Sequence, residues 1–169
     1  MKLIGLTGGI GSGKTMVSSL LEQYGMVVYS CDEESKKLIS SDANIREKLI
    51  NLLGDEIYDE NGLNRKVMAN IIFNDETILK QVNEIIHPEV NKHFQEWVKQ
   101  QNTEFVICES AILFETNFNQ DMDFNITVYA PIEIRLKRAM QRDNATEEDI
   151  LKSMFIDAAL SNSWCMEEY

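Results

Sequence analysis

The chain has 169 residues, of which 44% are hydrophobic and 26% charged, with 8 glycines and 2 prolines. This balance favours a compact globular domain with one good core and argues against disorder. No apolar run approaches the roughly 20 residues that a bilayer span needs. The apolar start of the chain breaks at Thr7-Gly8-Gly9, before the apolar region of a signal peptide could form. Because the three cysteines lack paired spacing, we expect reduced thiols and a cytoplasmic protein.

The chain is strongly acidic, with a net charge of −12 from 28 acidic and 16 basic residues. Such a surface repels the phosphates of nucleic acids and of anionic membranes, so we expect neither as a partner. A small phosphorylated ligand is compatible with this charge, but it requires a local concentration of cationic side chains.

The first elements predict a βαβ unit. Residues 2–7 are a short apolar run typical of a buried parallel strand. A glycine-rich turn then leads into a helical pattern that stops at Gly25. Residues 26–29 are a second strand, and Asp32 lies just beyond its end. Units of this kind are nearly always right-handed.

A mostly helical segment follows, from residue 33 to about residue 101. Asp42 and Asn64 are each expected to cap a helix. A further helix is expected to end near Ile86, because Pro88 restricts the conformation of the residue before it.

Two more strands and two more helices complete the pattern. A third buried strand ends in Glu109. Residues 124–130 are a fourth strand, and Pro131 begins a helix that runs to about Arg142. Residues 146–149 have the pattern of a capping box and open one more helix. The whole chain is therefore expected to be α/β, with a helical insertion between the second and third strands.

A phosphate-binding loop lies between the first predicted strand and the first predicted helix. Residues 8–15, GGIGSGKT, match G-x-x-x-x-G-K-[ST] at every fixed position. Glycines let backbone N–H groups close around phosphate oxygens, and the helix N-terminus adds further donors. Lys14 is expected to reach the β- and γ-phosphates, and the Thr15 hydroxyl is expected to bind Mg²⁺. The residues expected to bind ATP are Gly9, Gly11, Ser12, Gly13, Lys14, Thr15 and Met16.

A triphosphate site alone is compatible with a switch, a motor or a kinase. A GTPase would need the pattern Asn-Lys-x-Asp, and residues 91–94, NKHF, fail at its last position. The chain is also short for a motor ATPase. A small-molecule kinase is the most economical interpretation.

Carboxylates follow the second and third strands, at the end of the sheet where doubly wound folds bind ligands. Asp32 is the better candidate for accepting the proton of an acceptor hydroxyl, although it could also cap a helix. Glu109 could order the hydration shell of Mg²⁺, bond polar groups of the acceptor, or support a backbone turn. Arginines on the helix after Pro131, among them Arg138 and Arg142 on one face, are expected to close over the polyphosphate, the alternative being a solvated basic face.

Several segments together resemble dephospho-CoA kinase. They are LTGGIGSGKT at the start, the Asp of VYSCDEESKKL, GLNR…F at residues 62–73, IIHP ending at Pro88, ILFE at residues 112–115 and QRD at residues 141–143. The resemblance runs from residue 1 to about Met154. It implies transfer of the γ-phosphate of ATP, with Mg²⁺, to the ribose 3′-hydroxyl of dephospho-CoA, the last step of coenzyme A synthesis.

The resemblance also implies a fold and a set of roles. The fold would be a doubly wound parallel sheet of the P-loop NTPase type, with strand order 2-3-1-4 and its final strand missing. Asp32 would be the base, with Lys14 and Arg142, the latter on a lid, as further catalytic residues. The acceptor would be bound by Asp32, Arg65, Phe73, His87 and Glu109. The single domain 1–169 would consist of a core (1–32 and 103–135), a helical substrate-binding insertion (about 33–102), a lid (about 136–150) and an atypical tail (155–169).

The sequence also departs from the family pattern. Ser30 stands where the family often has the first Asp of Asp-x-Asp, and Ser153 and Asp157 stand where an Arg and a Gln are expected. Beyond Met154 the tail does not resemble the family, and a last strand followed by a closing helix is absent. The loss would weaken adenine recognition and leave an unpaired sheet edge, which predicts reduced stability or compensation by self-association.

Two other interpretations stay open. The chain could be another small-molecule P-loop kinase, which an acceptor screen would reveal. It could also be a catalytically weak, truncated ATP-binding homologue, which would bind ATP without acceptor-dependent release of ADP.

Overall fold

The computed structural model describes residues 1–60, 62–73 and 75–160, without the side chains of residues 73, 76 and 155–160. The expectations for the Asp157 side chain and for the last nine residues of the tail lie outside this part. The chain forms two compact units, one from Met1–Ser30 and the described residues from Gln101 onward, the other from Cys31–Gln100. The elements in chain order are β1 (Lys2–Thr7), α1 (Lys14–Gln23), β2 (Val27–Ser30), α2 (Cys31–Ser41), α3 (Ala43–Leu53), β3 (Tyr58–Asp59), β4 (Gly62–Leu63), α4 (Arg65–Phe73), α5 (Glu76–Val98), β5 (Phe105–Glu109), β6 (Phe124–Thr127), α6 (Ile132–Asp143) and α7 (Glu147–Leu160).

The first unit is built on a parallel sheet of four strands in the order β2-β5-β1-β6, which confirms the predicted order 2-3-1-4. The register places Glu109 of β5 opposite Leu6 of β1 on one side and Ser30 of β2 on the other. Because the strands are parallel, their carboxyl ends lie along one edge of the sheet, where α/β folds bind ligands. The sheet therefore positions Glu109 beside the end of β1, from which the glycine-rich loop departs.

The fourth strand, β6, is an edge strand. It ends at Thr127 rather than at the predicted Ala130, because Thr127 pairs with Thr7, the last residue of β1. Phe124 and Ile126 are 60% and 42% exposed, and among the described residues no strand pairs with the outer side of β6.

The helices α6 and α7 form a small apolar cluster of their own. Ala139, Ile150 and Met154 are its buried members, and Ile10 of the glycine-rich loop packs against it. The predicted capping box at the start of α7 is confirmed, since the Asp149 N–H donates to the Thr146 hydroxyl at 3.2 Å.

The second unit consists of α2 to α5 and the short antiparallel pair β3 and β4. The two predicted caps are confirmed. The Asp42 carboxylate accepts from the N–H of Ile45 at 2.9 Å, and the Asn64 side chain accepts from that of Val67 at 3.3 Å. The strands β3 and β4 are too short for periodicity to have predicted them.

The prediction that a helix ends near Ile86 was wrong, because α5 continues through Pro88 to Val98. A proline inside a helix removes one backbone hydrogen bond and crowds the preceding turn. Burial outweighs this cost here, since one face of α5 carries Val82, Ile86, Val90 and Phe94, all less than 9% exposed. In the part of the chain that the structure describes, no helix is long and apolar enough to cross a membrane.

Candidate active site

The phosphate loop connects β1 to α1 through a backbone that only glycine adopts easily. Gly11 and Gly13 have φ angles of 76° and 107°, in the left-handed region that side chains disfavour. A Cβ at Gly11 would also overlap the backbone of Arg135. Gly11 and Gly13, two of the glycines predicted to bind phosphate, are thus required by the loop's own conformation.

The start of α1 contributes the donors expected of a helix N-terminus. The N–H groups of Lys14 and Thr15 belong to the first turn, where no intrahelical acceptor is available. The N–H of Met16, by contrast, donates to the carbonyl of Gly13 at 3.1 Å. The side chains of Thr15 and Met16 are exposed. The Thr15 hydroxyl is therefore accessible to a ligand, whereas the Met16 N–H has an acceptor within the loop.

Ser12 is buried inside the loop, with 5% of its surface exposed. Its N–H donates to the carbonyl of Gly9 at 3.0 Å and so closes a turn within the loop. Its hydroxyl oxygen is buried and has no hydrogen-bond partner among the described residues. The loop thus holds one polar group that its own structure leaves unsatisfied.

Lys14 and Glu109 form an ion pair beneath the loop. The Lys14 ammonium lies 3.6 Å from Glu109 Oε1, and each side chain is only 11% exposed. The other carboxylate oxygen of Glu109 accepts from the Ser30 hydroxyl at 2.9 Å. Sequence reasoning selected Lys14 and Glu109 separately but missed Ser30 as a partner. The carboxyl ends of β1, β2 and β5 lie side by side, and this alignment could have predicted that Lys14, Ser30 and Glu109 come together.

Two arginines of α6 contact the loop. Arg135 Nε donates to the carbonyl of Ile10 at 3.0 Å, and Arg138 Nη1 donates to that of Ser12 at 3.2 Å. The sequence predicted that arginines of this helix, Arg138 among them, close over the polyphosphate, but it did not predict bonds to the loop carbonyls. The spacing of three positions puts Arg135 and Arg138 on one helix face. The loop therefore has cationic donors on its carbonyl side.

Arg142, the residue predicted to act from the lid, is bonded elsewhere. Its guanidinium donates twice to the carboxylate of Asp143, at 2.7 Å for each bond. This contact raises the pKa of Arg142 and lowers that of Asp143. Arg142 is exposed, and the structure does not bring it to the phosphate loop.

Of the residues predicted for the acceptor, Glu109 belongs to the first unit and the other four to the second. Asp32 is the second residue of α2 and is exposed, so it lies within the first turn rather than at the N-cap. Arg65 is the exposed first residue of α4, and Phe73 is the last residue of the same helix, with its side chain outside the described part. His87 is half-buried in α5, and this burial lowers its pKa below the usual value of 6.5.

The donors at the site fit Mg²⁺ bound together with phosphate, rather than a metal held by the protein alone. Among the residues described, no group of three or more His, Cys, Asp or Glu side chains could hold a metal ion. An accessible hydroxyl at Thr15 and a carboxylate at Glu109 are hard oxygen donors, which Mg²⁺ combines with water and phosphate oxygens in nucleotide sites.

Comparison with known proteins identifies what the chain is similar to. The family model described as dephospho-CoA kinase matches residues 2–163, which extends beyond Met154. A dephospho-CoA kinase of Bacteroides fragilis is 47% identical over 150 residues, covering 88% of this chain and 73% of the relative. One from Porphyromonas gingivalis is 42% identical over 154 residues, covering 91% of this chain and 76% of the relative.

A crystal structure of a Thermus thermophilus protein has a closely similar fold. The two chains are 31% identical and superpose with a TM-score of 0.77, over 89% of this chain and 76% of the other.

Proposed function

The chain belongs to the dephospho-CoA kinase family, and from this premise we propose that it transfers the γ-phosphate of ATP to the ribose 3′-hydroxyl of dephospho-CoA. The observation that carries the proposal for this chain is the phosphate loop, with its left-handed glycines and with Lys14 at the start of α1. Family membership supplies the acceptor.

In this proposal the phosphate loop binds ATP, the phosphate donor. Its backbone N–H groups and the start of α1 bind the polyphosphate, and the Lys14 ammonium neutralises the charge on the β- and γ-phosphates. Lys14 is available for this role once it exchanges Glu109 for phosphate. Mg²⁺ would be held by the Thr15 hydroxyl, with Glu109 nearby on the ordered water, and would supply charge neutralisation on the phosphates.

Asp32 is proposed as the base. Its carboxylate is exposed and follows β2 by two residues, so no burial must be undone before it accepts a proton. Asp32 would orient the 3′-hydroxyl and take its proton as the phosphoryl group transfers. Arg65, Phe73 and His87 are proposed to bind the remainder of the acceptor. Arg142 is proposed to leave Asp143 and join the polyphosphate during the reaction.

The coupled release of ADP, with ATP, Mg²⁺ and dephospho-CoA present, tests the reaction and its base together. Asp32→Asn should lower kcat by 10²- to 10⁴-fold, the range typical of a lost general base. The matched control is Glu33→Gln, which makes the same chemical change at an exposed neighbour in the same helical turn. Turnover that does not need dephospho-CoA, or an equal loss in both variants, would contradict the proposal.

The proposal also covers self-association, macromolecular partners and the cellular compartment. The exposed side chains of Phe124 and Ile126 in the edge strand β6 support self-association at this edge of the sheet. Sedimentation at rising protein concentration should then show a larger species that Phe124→Lys abolishes, and a concentration-independent monomer would contradict it. The net charge of −12 supports the absence of nucleic acid and membrane partners, and the unpaired cysteine spacing supports the cytoplasm.

A further inference from the structure

Arg135 of α6 is fixed against the phosphate loop at several points. Its Nε donates to the Ile10 carbonyl at 3.0 Å. A Cβ built on Gly9 would lie 2.5 Å from Nη2 of Arg135, and a Cβ built on Gly11 would overlap the backbone of Arg135. The side chain of Ile10 in turn packs into the apolar cluster between α6 and α7. The loop therefore lies directly on α6.

The contacts of α6 with loop carbonyls determine where loop N–H groups point. All peptide bonds described are trans, and in a trans peptide the C=O and the following N–H point in opposite directions. By holding the Ile10 carbonyl, Arg135 turns the N–H of Gly11 away from α6. Arg138 does the same for the N–H of Gly13 by holding the Ser12 carbonyl at 3.2 Å. The intervening N–H, that of Ser12, is bonded to the Gly9 carbonyl.

We propose that Arg135 is a positioning residue for ATP binding: its bond to the Ile10 carbonyl aims the Gly11 N–H at the polyphosphate. The loop then receives the anion with this donor already oriented, and no peptide must rotate on binding. Arg135 acts through the backbone of the loop and does not itself need to touch the ligand. The proposal depends on the proposed function only for ATP binding and requires nothing of the acceptor.

Substitutions at position 135 can separate the hydrogen bond from the charge. The side-chain nitrogen of glutamine stands at the same number of bonds from Cα as Arg135 Nε, so Arg135→Gln keeps the donor without the charge. Arg135→Met puts a methyl group at that point and removes both. Arg135→Lys keeps the charge but has a methylene there. Lys137→Met is the matched control, because Lys137 is exposed on the same helix.

Calorimetry with ATP and no acceptor measures the effect directly. We expect Arg135→Met and Arg135→Lys to bind ATP about tenfold more weakly, equivalent to about 1.4 kcal/mol. Arg135→Gln should stay within about threefold of the unaltered protein, and Lys137→Met should match it. In steady-state assays the KM for ATP should rise in Arg135→Met while that for dephospho-CoA stays constant, which a general loss of structure would not produce.

Two results would overturn the proposal. If Arg135→Lys restores ATP binding and Arg135→Gln does not, the charge acts and the oriented N–H does not. If Arg135→Met binds ATP as Lys137→Met does, the contact has no role in binding. Should Arg135→Met fail to fold, the comparison of the Lys and Gln variants still decides the question. Failure of the proposed function gives a different result, namely ATP binding that responds to position 135 without turnover of dephospho-CoA.

Discussion

Replacing Glu109 by glutamine should destabilise the ligand-free protein because it removes the partner of a nearly buried ammonium. At 3.6 Å and an effective dielectric constant of about 20, the attraction between Lys14 and Glu109 is about 5 kcal/mol. Part of this loss is offset, because a neutral glutamine side chain costs less free energy to bury than a charged carboxylate. Glutamine also still accepts the hydrogen bond of Ser30. We therefore expect the free energy of unfolding to fall by about 2 kcal/mol, which for a chain of this size lowers Tm by about 4–8 °C.

Thermal melting with and without ATP, in EDTA so that Mg²⁺ plays no part, tests this reasoning. Saturating ATP should narrow the difference in Tm between Glu109→Gln and the unaltered protein, because the polyphosphate becomes the new partner of Lys14. Glu104→Gln is the matched control, since Glu104 is exposed just before β5, and it should melt normally. A Tm deficit that ATP leaves unchanged would refute the exchange of partners, and an equal deficit in Glu104→Gln would refute the ion pair as its cause.

Three further changes have defined outcomes. Asp42→Ala removes the cap of α3 and should cost about 1 kcal/mol in denaturant unfolding, whereas an unchanged midpoint would mean that the cap contributes nothing. Gly11→Ala forces a Cβ onto the backbone of Arg135 at a φ of 76°, and should abolish ATP binding in calorimetry; retained affinity would show that the loop can shift. Burial lowers the pKa of His87 in the folded protein. As the pH falls below about 6.5, His87 is therefore protonated in the unfolded chain before it is protonated in the folded one. The stability contributed by neutral His87 is complete above that pH and is lost towards the lower folded pKa. His87→Gln should flatten this part of the stability curve, and an unchanged slope would exclude His87 as its source.

Much of the fold could be predicted because its signals are local. The phosphate loop, the caps at Asp42 and Asn64 and the capping box before α7 each involve residues a few positions apart. Their chemistry favours one conformation whatever surrounds them. The helix that continues through Pro88 shows the limit of such rules. The local cost of proline is real, but it is smaller than the burial of an apolar face, and burial depends on elements far away in the sequence.

The site could be predicted residue by residue but not as a set of contacts. Ser30 was regarded from the sequence as the position of a missing carboxylate, whereas its hydroxyl donates to Glu109 across 79 positions. Only the register of β2 with β5 brings these two together, and periodicity carries no information about register between distant strands. Arg135 was likewise only one cation among several on its helix. Its contact with Ile10 depends on how α6 lies against the loop.

The cations around the phosphate loop belong to two physical classes. Lys14 is held by a carboxylate that competes with the anion, so phosphate must replace Glu109 as its partner. Arg135 and Arg138 are held by loop carbonyls, which point away from the anion, so their bonds can persist when phosphate is bound. The contribution of Lys14 to phosphate affinity is therefore the difference between its attraction to phosphate and its attraction to Glu109. The attraction of Lys14 to phosphate counts only to the extent that it exceeds its attraction to Glu109, while the contribution of the two arginines is already built into the loop. Anions that attract Lys14 less strongly than Glu109 does should therefore bind poorly at this site. A polyphosphate should bind well, because it offers Lys14 more negative charge than one carboxylate does.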